Sequence, residues 1–154
     1  MKISMTERII APQERVFGLF ADLDGAAGRI AGITKLERLT DGPVGVGTRW
    51  RETRVMFGKE ATEEMEFTVF EPPRRYVVEA ESHGMHYRSE YRFEPAGGAT
   101  DVQMTFEGRP LTLGAKLMAP LGLLFAGAAK KCFAQDMADL KVAAEAKTEP
   151  VATV

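Results

Sequence analysis

Residues 76–106 read YVVEAESHGMHYRSEYRFEPAGGATDVQMTF, and the alternation in this stretch decides the fold. Tyr76, Val78, Ala80 and Ser82 share one face of a first segment. Tyr87, Ser89, Tyr91 and Phe93 share a face of the next, and Val102, Met104 and Phe106 a face of the third. The opposite faces carry Glu79 and Glu81, then Arg88, Glu90 and Arg92, then Asp101, Gln103 and Thr105. A period of two, apolar on one side and charged on the other, is the pattern of a half-buried antiparallel strand. His83–Gly84 and Gly97–Gly98 separate the three segments as tight turns.

The same text extends upstream. Turn signals at Asp41–Gly42–Pro43, Gly45–Val46–Gly47, Phe57–Gly58 and Pro72–Pro73 divide it into short β-rich segments. Strands are expected at about 33–39, 47–56, 59–70, 76–83, 86–95 and 100–109, after a first strand at about 2–10. Pro12 suits the first turn of a helix, which Val16, Phe17, Leu19 and Phe20 supply with an apolar face. Residues 24–30 (DGAAGRI) predict a second short helix, weakened by Gly25 and Gly28. Past Pro110 the period becomes helical: Leu113, Leu117, Leu121, Leu124, Phe125, Ala128, Phe133, Met137 and Leu140. Pro120 either kinks this helix or marks its true start. One domain over residues 1–147 is expected, with 148–154 as a disordered tail.

A sheet with one polar face must bury the other, and the C-terminal helix is the only element long and apolar enough to cover it. This makes an α+β fold. One helix cannot fill the concave side of seven strands, so a cavity is expected between them.

Alternation also orients the earlier strands. Trp50, Met65, Phe67 and Val69 face inward, and the pleat carries Glu52, Arg54 and Glu63 with them. A two-residue turn at Phe57–Gly58 pairs Trp50 with Met65, Glu52 with Glu63 and Arg54 with Ala61. Two carboxylates and a guanidinium inside an apolar space must pair, and one carboxyl is expected to have a raised pKa. Glu52, Glu63 and Arg54 are therefore the candidates for acid–base chemistry or a polar ligand contact, against strand ends that run out into solvent. The expected ligand lining is Trp50, Met65, Phe67, Val69, Val78, Tyr87, Tyr91, Met104, Phe106, Leu121 and Phe125.

Other chemistry is excluded. His83 and His86 flank a turn with no third ligand beside them, so no metal and no cofactor are expected. Cys132, the single cysteine, has no histidine to activate it and reads as a structural thiol. Neither a nucleophile elbow, a dinucleotide fingerprint nor a Walker loop occurs. A net charge of −2 with 27% charged residues gives no basic excess for nucleic acid. The lone cysteine and the lack of an apolar leader favour the cytoplasm. Leu117–Ala129 is shorter than the ~20 residues a membrane span needs, so core helix is favoured over membrane contact. Gly114, Gly122 and Gly127 in this helix permit two readings, a mobile gate or close packing on the sheet.

The order of elements resembles the START/Bet v 1-like superfamily, the helix-grip fold, and within it bacterial proteins labelled polyketide cyclase/dehydrase or SRPBCC. The resemblance rests on Ile9–Phe17 at the strand-to-helix junction, Gly45–Trp50 opening the third strand and Phe70–Arg75 at the following turn. Gly98–Ala99–Thr100 before the last strand and Leu140–Lys141 with Glu145 at the end add to it. It implies a ligand cavity and, for some members, cyclase, aromatase, hydrolase or lipid-transfer activity, but no shared catalytic motif. A carrier for an apolar or aromatic small molecule or lipid is the leading expectation. A cyclase/aromatase or dehydratase enzyme is the second. The third is a membrane-associated lipid or quinone chaperone, recognisable by exposed Leu121, Leu124 and Phe125 unless a homodimer covers them.

Overall fold

The computed structural model describes residues 1–56 and 58–146. Seven strands form one antiparallel sheet in the order β1-β7-β6-β5-β4-β3-β2. They are β1 (Lys2–Ile9), β2 (Ile33–Arg38), β3 (Arg49–Met56), β4 (Lys59–Glu71), β5 (Arg75–Ser82), β6 (Met85–Ala96) and β7 (Ala99–Pro110). Helices α1 (Gln13–Phe20) and α2 (Leu23–Arg29) separate β1 from β2, and α3 (Leu113–Leu117) follows β7. A 3-10 turn, Ala119–Leu121, then leads into the long C-terminal helix α4 (Gly122–Glu145). This is the α+β helix-grip architecture. The expected tail, and Phe57 of the expected turn, lie outside the described residues.

Local chemistry explains the boundaries. Pro12 caps α1 with extended backbone, and Val16, Phe17, Gly18, Leu19 and Phe20 are all buried. The Asp22 carboxylate accepts from the Gly25 amide at 3.3 Å and from Arg29, closing the first turn of α2. Gly97 and Gly98, with φ of 59° and 87°, make the two-residue β6–β7 turn that joins Ala96 to Ala99. Pro120 falls inside the 3-10 turn, so α4 begins directly after it. Gly84 combines φ +76° with close approach: a Cβ there would lie 2.6 Å from Thr112 Oγ1. Its carbonyl accepts from the Leu111 amide at 2.7 Å, seating α3 on the β5–β6 turn.

The core fills one end of the grip. Phe17, fully buried, meets Phe70, Tyr76 and Phe93 edge to face, with ring centroids 5.4, 5.8 and 5.1 Å apart. Trp50 and Phe67 join them, and the Tyr76 hydroxyl donates to the Phe20 carbonyl at 3.5 Å. Helix α4 packs against β1, α1 and α2 through Met137, Leu140, Ala143 and Ala144. Towards its start it reaches the sheet through long rings: Phe133 on Phe106 at 4.8 Å and Phe125 on Tyr87 at 6.3 Å.

One strand departs from simple alternation. Phe67 pairs with Val78, yet Val69 pairs with Val77 and Phe70 with Tyr76, a bulge that inserts one residue at Thr68. The faces switch there. Val69 leaves the inner face where it was expected, and Phe70 takes its place in the aromatic core.

Candidate functional site on the concave face

The inner face of β3 carries Trp50, Glu52 and Arg54 in the expected register, opposite Met65, Glu63 and Ala61. Arg54 is the centre. Its Nε donates to Glu52 Oε2 at 2.7 Å, and its two terminal nitrogens reach Asp136 Oδ1 and Oδ2 at 3.0 and 2.7 Å. Nη1 also lies 3.4 Å from Cys132 Sγ. Gly32, before β2, leaves room for this cluster, since a Cβ there would stand 3.0 Å from Arg54 Nη1.

The partner carboxylates are therefore Glu52 and Asp136, and Glu63 is not in the cluster. Glu63 stands across the strand from Glu52, half-buried, and its charge is felt by Tyr87. Asp136 was missed because only apolar positions of the helix were counted. It stands three residues after Phe133 and four before Leu140, on the face those residues bury. Cys132, one helical turn before Asp136, is half-buried and holds a contact to the arginine that its sequence context did not suggest.

Burial shapes the protonation of the group. Glu52 is 8% and Asp136 6% exposed. Burial pushes the Asp136 carboxyl above the usual carboxylate range, against the pull of its hydrogen bonds to Arg54, and the charge of Glu52 adds to the rise. Burial works against the Arg54 cation, but the hydrogen bond to Asp136 and the charge of Glu52 outweigh it and hold the proton firmly. Burial also raises the Tyr91 phenol, with Asp136 adding to it, and the Cys132 thiol, there opposed by Arg54. With both carboxylates ionised, the cluster carries one positive and two negative charges.

The remaining expected lining divides into groups. Trp50, Phe67, Met104 and Phe106 are at most 6% exposed and belong to the packed core, forming wall rather than free surface. The indole N–H of Trp50 is buried with no hydrogen-bond partner among the described residues. Met65, Val78, Tyr87, Tyr91 and Phe125 pack on that core and stay partly exposed, as does Phe133, which was not foreseen. Leu121, expected in the lining, sits on the 3-10 turn and is 53% exposed. The two histidines lie apart from this face. His83 contacts Ser82 Oγ, and His86 lies on the outer face against Glu79 and Glu81. Two open clefts of about 350 and 460 Å³ are also on the polar outer face, around Glu79, His86 and Arg88 and around Arg51, Thr53 and Thr62.

Helix α4 is tied unevenly. Among the described residues, its polar links to the rest of the protein fall between Cys132 and Ala146. Asp136 holds Arg54, Asp139 the Ala31 amide, Lys141 the Arg8 carbonyl and Glu145 the Ile10 amide. Arg15 donates to the Ala144 and Ala146 carbonyls. Among the same residues, the half from Gly122 to Lys131 rests on apolar contacts alone. A Cβ added at Gly114, Gly122 or Gly127 would meet nothing within 4 Å, so close packing does not explain these glycines. Gly127→Ala is accordingly expected to stabilise the protein by about 0.8–1 kcal/mol. Urea denaturation measures it, and an unchanged or lower midpoint would contradict the open space around Gly127.

A family model described as polyketide cyclase/dehydrase and lipid transport matches residues 1–145. Among solved structures, the Zhui aromatase/cyclase from Streptomyces sp. R1128 superposes with a TM-score of 0.83 at 16% identity, covering 97% of this chain and 96% of that one. TTHA0849 from Thermus thermophilus gives 0.74 at 23% identity, over 92% and 95%. The di-domain aromatase/cyclase BexL from the BE-7585A biosynthetic pathway gives 0.76 at 17%, over 96% of this chain and 50% of that one. At these identities the likeness is one of fold. No curated protein matches the sequence.

Proposed function

Because the chain belongs to the polyketide cyclase/dehydrase and lipid transport family, we propose that it binds an apolar or aromatic small molecule between β5–β7 and the first half of α4. The observation that carries this reading is the loose seam there. Phe125 of α4 rests on Tyr87 across it, both partly exposed, while the polar ties of α4 begin at Cys132, beyond that contact. Such a seam opens by parting ring contacts, without breaking a hydrogen bond. An apolar ligand entering it covers the exposed surface of Val78 and Tyr91 and meets few polar groups to desolvate.

The test uses anilinonaphthalene sulfonate as an apolar aromatic probe, titrated by fluorescence. Wild-type protein is expected to bind it saturably, one to one. Val78→Trp, which fills the seam, is expected to weaken it about tenfold, a loss of about 1.4 kcal/mol. Equal affinity in the two proteins, both folded by circular dichroism, would sink the reading.

A second reading is a dehydratase- or cyclase-type enzyme, favoured by Asp136. A carboxyl with a raised pKa, on the inner face near the Tyr91 phenol, is the kind of group that protonates a leaving hydroxyl. In this reading Asp136→Asn keeps ligand affinity and abolishes turnover of any co-purified compound; loss of both together would mark Asp136 as structural.

A further inference from the structure

We propose that α3, the 3-10 turn and the start of α4 form a face that docks on an anionic lipid surface. The inference does not depend on what the inner seam binds.

Two independent features of this segment converge. The first is apolar exposure. Leu113, Leu117, Met118, Leu121 and Leu124 are 73, 74, 58, 53 and 75% exposed, crowded into twelve consecutive residues. Soluble chains expose single leucines freely, but contiguous apolar patches mark contact surfaces. None of these five packs on the core, so holding the fold together is not their role. Phe125, the one ring of the group, turns the other way and stacks on Tyr87.

The second feature is charge. Residues 111–135 contain Lys116, Lys130 and Lys131, all exposed, and no Asp or Glu. The chain as a whole has 20 Lys and Arg against 22 Asp and Glu, so the remainder, at 17 against 22, carries −5 while this segment carries +3. Exposed leucines bracketed by cations on an otherwise acidic protein match a surface that is apolar below and negative above. That is the interface of a bilayer with anionic headgroups.

Charge also decides between occupants. A second copy meeting through this face would bring two such cationic surfaces together and leave both without counter-charge. Anionic headgroups supply it. No described helix is long and apolar enough to cross a membrane, so the face lies along the interface with its leucines inserted shallowly. Sequence pattern alone favours core helix for Leu117–Ala129; the exposure of Leu117, Leu121 and Leu124 reverses that preference.

The experiment floats the full chain with vesicles of phosphatidylcholine alone and of phosphatidylcholine with one third phosphatidylglycerol. Wild-type protein is expected to float with the anionic vesicles and to release at high salt. Lys116→Gln, Lys130→Gln and Lys131→Gln are each expected to weaken partitioning about fivefold. The double variant Leu117→Glu/Leu124→Glu is expected to abolish it, with unchanged circular dichroism because both side chains are about three-quarters exposed. No flotation of wild type, equal flotation with both vesicles, or variants that float as wild type does would overturn the proposal. So would sedimentation equilibrium showing a wild-type dimer that the leucine double variant dissociates, for then the occupant is a second copy.

Discussion

Arg54→Met is expected to destabilise the protein by about 3–5 kcal/mol at neutral pH, read from urea denaturation. Methionine keeps much of the volume of the arginine stem, so the loss is electrostatic. Glu52 and Asp136, 8% and 6% exposed, are left without the cation that bonds both of them. A buried carboxylate without a partner costs far more than the net worth of the pair that held it. Asp136→Asn is the informative companion. It leaves Arg54 paired one to one with Glu52 and is expected to cost less.

The pH dependence separates the two variants further. The Asp136 pKa is raised in the folded protein, so the folded state holds that proton more tightly than the unfolded chain does. Its contribution is then fully present below the ordinary aspartate value of about 3.9 and is lost as pH rises through the raised folded value. Wild-type stability falls through that window on account of this group, and Asp136→Asn removes the fall. In Arg54→Met the buried Asp136 carboxyl loses its cation, so the deficit is expected to shrink in mild acid, where protonation neutralises it. A deficit that is absent at neutral pH, or constant with pH, would show that the cluster is hydrated rather than buried.

Much of this geometry was legible because two rules of the sheet are strict. Side chains alternate with period two, and a two-residue turn fixes the register. From these alone Trp50, Glu52 and Arg54 were placed opposite Met65, Glu63 and Ala61, as found. The bulge at Thr68 was not legible, because the run Phe67–Thr68–Val69–Phe70 has no glycine to mark it and its last two residues are both apolar, so either could face inward. It moved Val69 outward and Phe70 inward.

The partner of Arg54 was invisible for a different reason. Asp136 lies 82 positions along the chain, and neither period nor turn length relates a strand to a helix that far away. What the sequence offered was an acidic residue on the apolar stripe of the last helix, which becomes meaningful only when a buried cation on the sheet is sought for it. Leu121 fits a helical period equally well as core or as surface. Pro120 ended the phase relation, and the 3-10 turn left it outside.

Phe17→Ala is expected to cost about 3–5 kcal/mol, which for a chain of this size lowers the melting temperature by about 6–20 °C. The residue is fully buried, and three rings meet its edges. Truncation therefore leaves a void that rigid neighbours on α1, β4, β5 and β6 cannot close. Phe133→Ala removes the same atoms at the other end of the grip. There the ring is partly exposed and rests on Phe106 as its one ring partner among the described residues, so the expected cost is smaller. The effects on anilinonaphthalene sulfonate binding should run the opposite way. Phe133 borders the seam and Phe17 the packed end, so Phe133→Ala alters probe affinity while Phe17→Ala, wherever it remains folded, leaves it near the wild-type value. If the two truncations moved stability and affinity in parallel, the concave face would be one continuous core, and the division into a packed end and a loose seam would be wrong.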